Sequence, residues 1–240
     1  MKLLHLSDLH FHHDDKNNRT LLKRIKALEK YPDHIKIITG DIVDDGRPDQ
    51  REKARKQLDQ LGSVYLVPGN HDYGAFGTGY NVEDAKAFDD FSFTPFFKKI
   101  PFAIRIEREN LLFILLNSCL KTKSPFDFAC GKIGVGQIGL LTKILDDPDN
   151  KCFIKVVALH HHPFYHSDPG MRLLDANLFM RAIYGKVNIL MFGHQHEEGY
   201  WHDKSGCKEM LAAGALYEAT TIKEVVIEGC EIKVNKIKLV

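Results

Sequence analysis

The chain opens with an apolar run, Leu3 to Leu6, that reads as a buried strand, and Leu21, Leu22, Ile25 and Leu28 then recur at helical spacing. A β-branched run, Ile35 to Thr39, follows; Ala54, Leu58 and Leu61 mark a second amphipathic helix, and Val64 to Val67 a third strand. Strand, helix, strand, helix, strand is the order of βαβ units, whose crossover helices make neighbouring strands parallel, so the first third predicts an α/β fold. A helix over Glu83 to Lys99 follows the glycine-rich stretch GAFGTGY. Phe102 to Ile106 and Leu111 to Leu116 read as a hairpin. Ile138 to Leu145 predicts a helix, Phe153 to Leu159 a strand, Leu178 to Tyr184 a helix and Val187 to Phe192 a strand. The tail reads as a meander with strands near Gly199 to His202, Glu209 to Ala212, Lys223 to Ile227 and Glu231 to Lys238, separated by KSG and EGC turns.

Composition narrows the class without changing this picture. Hydrophobic residues make up 44% and charged residues 27% of the 240, the proportions of a soluble globular chain rather than a disordered or fibrous one. No linker or repeat divides the chain, which predicts a single domain over 1–240. A formal net charge of +1 gives no global pull toward nucleic acid or anionic membrane, so the expected partner is a small molecule. The five cysteines are scattered and never spaced C-x-x-C, which argues against a thiolate zinc knuckle and a disulfide framework. The start MKLLHLSDLH is too short and polar for a secretory apolar region, and no stretch approaches the roughly 20 apolar residues of a membrane-spanning helix. The expected location is cytoplasmic, with no membrane partner.

Chemistry enters at the strand ends. Five predicted strands run into polar clusters: Ser7-Asp8-Leu9-His10, Gly40-Asp41, Pro68-Gly69-Asn70-His71-Asp72, His160-His161-His162-Pro163 and Gly193-His194-Gln195-His196. In open α/β sheets ligands collect outside the carboxyl ends of strands, so these clusters are expected to converge. Residues two apart in an extended segment face the same way, which pairs Asp8 with His10 and His194 with His196. Carboxylates, imidazoles and an Asn carbonyl form an oxygen and nitrogen donor set suited to Mn, Fe or Zn. The donors are too many for one ion. Two ions about 3.5 to 4 Å apart sharing Asp41 would use them, since an ionised carboxylate offers two oxygens.

The ordered set D-x-H, G-D, G-N-H-D, H-x-P and G-H-x-H, here Asp8-Leu9-His10, Gly40-Asp41, Gly69-Asn70-His71-Asp72, His161-His162-Pro163 and Gly193-His194-Gln195-His196, resembles the calcineurin-like metallophosphoesterases over roughly the first 200 residues. The resemblance implies a two-sheet β-sandwich flanked by helices around a dinuclear centre of divalent or mixed-valence ions. Carried over residue by residue, it gives Asp8, His10 and His196 to one ion and Asn70, His161 and His194 to the other, with Asp41 bridging. It selects His161 by the H-x-P spacing; a one-residue slip hands that role to His160. It also implies a nucleophilic hydroxide between the ions, with His71 beside the leaving oxygen as the catalytic residue. Asp72 either orients His71 from behind or faces solvent.

The run Gly40-Asp41-Ile42-Val43-Asp44-Asp45-Gly46-Arg47-Pro48 is similar to the bacterial class III cyclic nucleotide phosphodiesterases, which favours a small phosphodiester such as a 3′,5′-cyclic nucleotide. Protein phosphatases of the family carry arginine at the place of Asp45 and glutamate at that of Asp72, the lipid A pyrophosphatase branch carries arginine at that of His71, and the nuclease branch usually adds domains and a basic surface. A phosphomonoesterase on the same scaffold is the alternative. A protein-binding module like the retromer subunit of this fold is disfavoured by the intact donor set. The stretch GAFGTGY joins no strand to a helix as a dinucleotide fingerprint does, and reads as a rim loop. His166, Asp168 and Arg172 read as a similar rim, His12, His13, Asp14 and Asp15 as a solvated loop, and Trp201 and His202 as structural.

Overall fold

The computed structural model describes residues 1–74, 79–94, 96–119, 121, 129–164 and 169–239. Two sheets are flanked by helices. The first holds five strands in the order β11-β10-β1-β2-β3, where β1 is Lys2–Leu6, β2 Ile35–Thr39, β3 Val64–Val67, β10 Thr221–Glu228 and β11 Glu231–Lys238. β1, β2 and β3 are parallel, joined by helices α1 (Arg19–Leu28) and α2 (Pro48–Leu58), while β10 and β11 are antiparallel additions beside β1. The second sheet holds six strands in the order β4-β5-β6-β7-β9-β8, where β4 is Phe102–Ile106, β5 Leu111–Leu115, β6 Ile154–Ala158, β7 Ile189–Phe192, β8 Gly199–Lys204 and β9 Cys207–Ala212. β5, β6, β7 and β9 run parallel, and β4 and β8 close the edges antiparallel.

Side-chain alternation shares the core between two layers. On β5, Leu111, Phe113 and Leu115 join the large core that contains the first sheet, whereas Leu112 and Ile114, with Leu116 just beyond the strand, join a second one with Leu141 of α4 (Val135–Asp146) and Phe179 of α5 (Ala176–Ile183). β6 and β7 divide the same way: Val156 and Met191 lie on one side, Val157 and Leu190 on the other. Burial on both faces explains why these strands are written as apolar runs, broken only by Lys155 in β6.

Two expectations about elements are revised. The helix expected over Glu83 to Lys99 is α3, Val82–Ser92, whose start is capped by the Asn81 side chain accepting from the N–H groups of Glu83 and Asp84; Phe93, in a left-handed conformation, ends it, and a separate 3₁₀ turn covers Phe96–Lys98. The tail is not one meander. β8 and β9 complete the second sheet, and the chain then crosses to the first, where β10 pairs with β1. Short-range turn signals identify the two hairpins and contain nothing about which sheet receives each. Among the described residues no helix is long and apolar enough to cross a membrane.

Candidate metal centre

The carboxyl ends of β1, β2, β3, β6 and β7 meet at one rim, and their clusters meet with them. Asp41 is the hub. Its Oδ2 lies 3.3 Å from His160 Nε2 and 3.8 Å from His10 Nε2, while its Oδ1 accepts the His71 backbone N–H at 2.9 Å. On one side, His160 Nε2 lies 3.0 Å from Asn70 Oδ1 and 3.1 Å from His194 Nδ1. On the other, His196 Nε2 lies 3.3 Å from His10 Nε2 and 3.4 Å from Asp8 Oδ1. Donors of Asp41, His160 and His194 come together as one candidate cation cluster and those of Asp8, His10 and His196 as another, with a third, His10, Asp41 and His71, overlapping both. A single carboxylate oxygen thus faces both.

At the histidine run two neighbouring rings, His160 and His161, both reach His194. His160 meets Asn70, Asp41 and His194 through its Nε2, while the His161 ring also reaches His194, with centroids 4.4 Å apart against 4.8 Å for His160. β6 ends at Ala158, but the chain stays paired with the neighbouring strand through Leu159 N–H to Met191 O and Gly193 N–H to His160 O, so His160 is held as if the strand continued. Its ring lies where a Cβ on Gly40 would come within 2.5 Å of its Nδ1, so only a glycine fits at position 40. His161 Nδ1 lies 2.8 Å from Ser118 Oγ and its Nε2 is buried without a hydrogen bond, so this ring too is anchored on one nitrogen with the other left to give. His162 packs on Phe192 and Trp201.

The backbone at the site is strained in a patterned way. Asp8, His10, Asp41, His194 and His196 all adopt positive φ, between 49° and 77°. Non-glycine residues rarely do so, and such strain collects at functional sites. Asp8 and His10 therefore face together through two left-handed residues beyond the end of β1, not by the alternation of an extended strand. Hydrogen bonds hold these turns: Asp8 N–H donates to Gly40 O, His10 N–H to Asp41 O, and His194 N–H to Asp8 Oδ2.

Asp72 does not orient His71. It is buried, and its Oδ1 accepts the N–H groups of Ile42 and Val43 while its Oδ2 accepts that of Gly69, so it ties the loop carrying Asp41 to the loop carrying Asn70. Burial and the nearby Asp41 push its carboxyl up to about 7. His71 is oriented instead by the Asp44 backbone carbonyl, 2.5 Å from Nδ1. The Asp44 carboxylate lies 3.6 Å from His10 Nδ1 and 3.1 Å from His12 Nε2, so His12 is engaged inside the rim. Arg172 is exposed and its carbonyl accepts the Gly131 N–H; Ala75 to Thr78 of GAFGTGY, His166 and Asp168 lie outside the described residues.

The charge balance fits cations. Burial opposes ionisation of Asp41, yet the facing His160 and His71 hold its carboxyl well below the usual range. Burial alone would lower the His160 pKa, but Asp41 outweighs it and raises it to about 9. Burial and the neighbouring His160 depress His194 to about 3, leaving it neutral with a lone pair to give. Asp8 Oδ1, His161 Nε2 and His194 Nε2 are buried without a hydrogen bond, and ring nitrogens sit 3.1 Å apart within the inner cluster and 3.3 Å apart within the outer one. Buried lone pairs packed so closely call for protons or cations between them, and a thiolate-free oxygen and nitrogen set accepts first-row divalent metals.

Two further residues come to the rim from strand ends that the sequence did not flag, Ser118 after β5 and Tyr217 after β9. β5 reads as half of a hairpin and β9 as part of a meander. Recognising both as parallel strands was the signal needed, because their carboxyl ends face the same rim.

The chain belongs to the calcineurin-like phosphoesterase family, whose model matches residues 1–198. It is 28% identical over 186 residues to a 3′,5′-cyclic-nucleotide phosphodiesterase of Nostoc sp., covering 74% of this chain and 61% of that protein. It is 34% identical over 83 residues to a glycerophosphodiester phosphodiesterase of Enterobacter lignolyticus, covering 30% of each. The matches thus span less than two thirds of either relative. Among solved structures, a dimetal phosphatase from Danio rerio superposes with a TM-score of 0.71 at 15% identity, covering 100% of this chain and 96% of that one. A 5′-nucleotidase structure from Staphylococcus aureus, itself so assigned only provisionally, superposes at 0.68 and 13% identity, covering 100% and 54%. These two likenesses concern the fold.

Proposed function

We propose that the chain is a dinuclear metal-dependent phosphodiesterase acting on a small phosphodiester, with a 3′,5′-cyclic nucleotide as the leading substrate. The observation that carries this reading is the single Asp41 oxygen facing two donor clusters. The name of the Nostoc relative supports the cyclic nucleotide, and both relatives are named for diesters. In this reading Asn70, His160 and His194 hold an inner ion, Asp8, His10 and His196 an outer one, and Asp41 both. Mn, Fe or Zn suits these donors equally. Bound there, two divalent ions would supply the Lewis acidity that neutralises a phosphate and lowers the pKa of a water between them.

The remaining chemistry falls to side chains of this chain. His71 Nδ1 donates its proton to the Asp44 carbonyl, which turns Nε2 toward the space beside Asp41 and His10. Protonated on Nε2, His71 delivers that proton to the departing alkoxide, relieving the charge that develops when the P–O bond breaks. Asp72 holds the spacing of the Asp41 and Asn70 loops, so the donors stay in place through turnover. The free cysteines fit a reducing, cytoplasmic setting.

The test is to strip the protein with chelator, restore Mn, and compare bis(p-nitrophenyl) phosphate, p-nitrophenyl phosphate and cyclic AMP. Metal-dependent turnover of the diesters is expected. Preference for the monoester would replace this reading with a phosphomonoesterase, and inactivity on all three would sink it.

A further inference from the structure

Each histidine of the rim needs its second nitrogen anchored, because that contact fixes both ring orientation and tautomer for a metal-facing imidazole. The Thr39 carbonyl, 2.6 Å away, anchors His160 Nδ1, and the Asp44 carboxylate faces His10 Nδ1. These anchors come from the second motif or the residue before it. For His196, at the open side of the outer cluster, the motifs provide none. The group at its Nδ1 is the hydroxyl of Tyr217, at 3.4 Å.

The Tyr217 ring packs edge-on against two rim histidines, with centroids 5.9 Å from His10 and 6.0 Å from His196. Its segment is tied to the first motif, since the Leu216 N–H is shared between the carbonyls of Ser7 and Asp8 at 3.1 and 3.2 Å. Asp8 is itself a donor of the outer cluster. One backbone link and one side chain thus join the β9–β10 connection to Asp8, His10 and His196.

Building on the dinuclear reading, we infer that Tyr217 is a positioning residue for the outer ion, its hydroxyl accepting the Nδ1 proton of His196 so that Nε2 is left bare toward Asp8. Without that acceptor, neutral His196 can carry its proton on Nε2, drawn there by Asp8 Oδ1 at 3.4 Å, and is then blocked as a ligand. The hydroxyl and ring contacts of Tyr217 are with His196 and His10, so the inner ion is expected to be little affected by it.

The substitution Tyr217→Phe keeps the ring edge against both histidines and removes only the hydroxyl. Chelator-stripped wild type and Y217F are titrated calorimetrically with Mn, and the melting temperature of each metal-free protein is measured. Expected are two binding steps in wild type, and in the variant a weaker step reduced about 10- to 100-fold, the range for loss of an outer-shell partner, with the tighter step and metal-free melting unchanged. Wild-type affinity at both steps in Y217F would overturn the inference. So would weakening of both steps together with a lower metal-free melting temperature, which would make the hydroxyl a general structural contact. A wild-type chain binding fewer than two ions overturns it along with the dinuclear reading. Two ions without phosphoesterase activity would remove only the proposed function, because ion affinity is the readout.

Discussion

The two donor clusters share Asp41 and little else. In the inner one, Asp41, His160 and His194 are 2% exposed or less, and each is held by fixed neighbours: the Thr39 carbonyl on His160, the Asp8 carboxylate on the His194 N–H, the His71 N–H on Asp41. In the outer one, the His196 side chain is 38% exposed and its anchor is a tyrosine hydroxyl at 3.4 Å. The inner cluster is set by the strands before any ion arrives. The outer one is completed at the surface by a loop. Preorganised donors lose less freedom on binding, so the inner ion should bind first and exchange slowly, while the outer position faces arriving substrate.

The contrast is broken most severely at the shared residue. Asp41→Asn removes the charge that both clusters use; loss of both ions and a fall in diester turnover on the order of 10³-fold or more are expected, read by metal analysis and steady-state rates. Retention of two ions would show that Asp41 does not join them. His71→Ala lies outside both clusters by this account. Two ions should remain bound while turnover of a substrate with a poor leaving group drops about 10²- to 10⁴-fold, and a small effect there would remove His71 from the proton transfer.

The adjacent histidines sharpen the inner cluster. His160→Ala should abolish the inner ion. His161→Ala should retain both ions and instead cost about 2 to 4 kcal/mol of stability, through loss of a buried ring and its contact with Ser118, seen in a denaturant titration. The reverse pattern would restore the H-x-P register.

A milder probe is pH. In metal-free protein the folded His160 pKa of about 9 stands above its ordinary 6.5, so the pair with Asp41 stabilises fully below about 6.5 and is lost as pH rises toward 9. The melting temperature of stripped protein should fall across that window. It should fall less in the loaded protein, where His160 must already be neutral to bind. Smallest of all is His12→Ala: His12 is held by Asp44 and Asn18, and an effect on turnover within a fewfold is expected.

How much of this could be read in the sequence follows from what each signal measures. β1, β2, β3, β6 and β7 are largely apolar runs that stop where polar clusters begin, so Asp8, His10, Asp41, Asn70, His71, His194 and His196 were legible as candidates at strand ends, and the structure brings them to one rim. The choice between His160 and His161 was not. Both rings reach His194, His160 being placed by pairing that outlasts β6 and by its contact with Thr39, 121 residues away in the chain, so the paired alanine variants decide between them. The positive φ of five rim residues could not be read from the sequence, since Asp and His, though enriched among non-glycine residues in that region, adopt it at only a small fraction of their positions. Tyr217 was hidden for a related reason. Its strand looked antiparallel, and no short motif marks a hydroxyl that works by facing another residue's motif.

The most direct measurement is the position of bound metal. Anomalous diffraction from a crystal of Mn-loaded protein should show two peaks on either side of Asp41, one beside Asn70, His160 and His194, the other beside Asp8, His10 and His196. A single peak, or an inner peak bound to His161 with His160 turned away, would contradict the account.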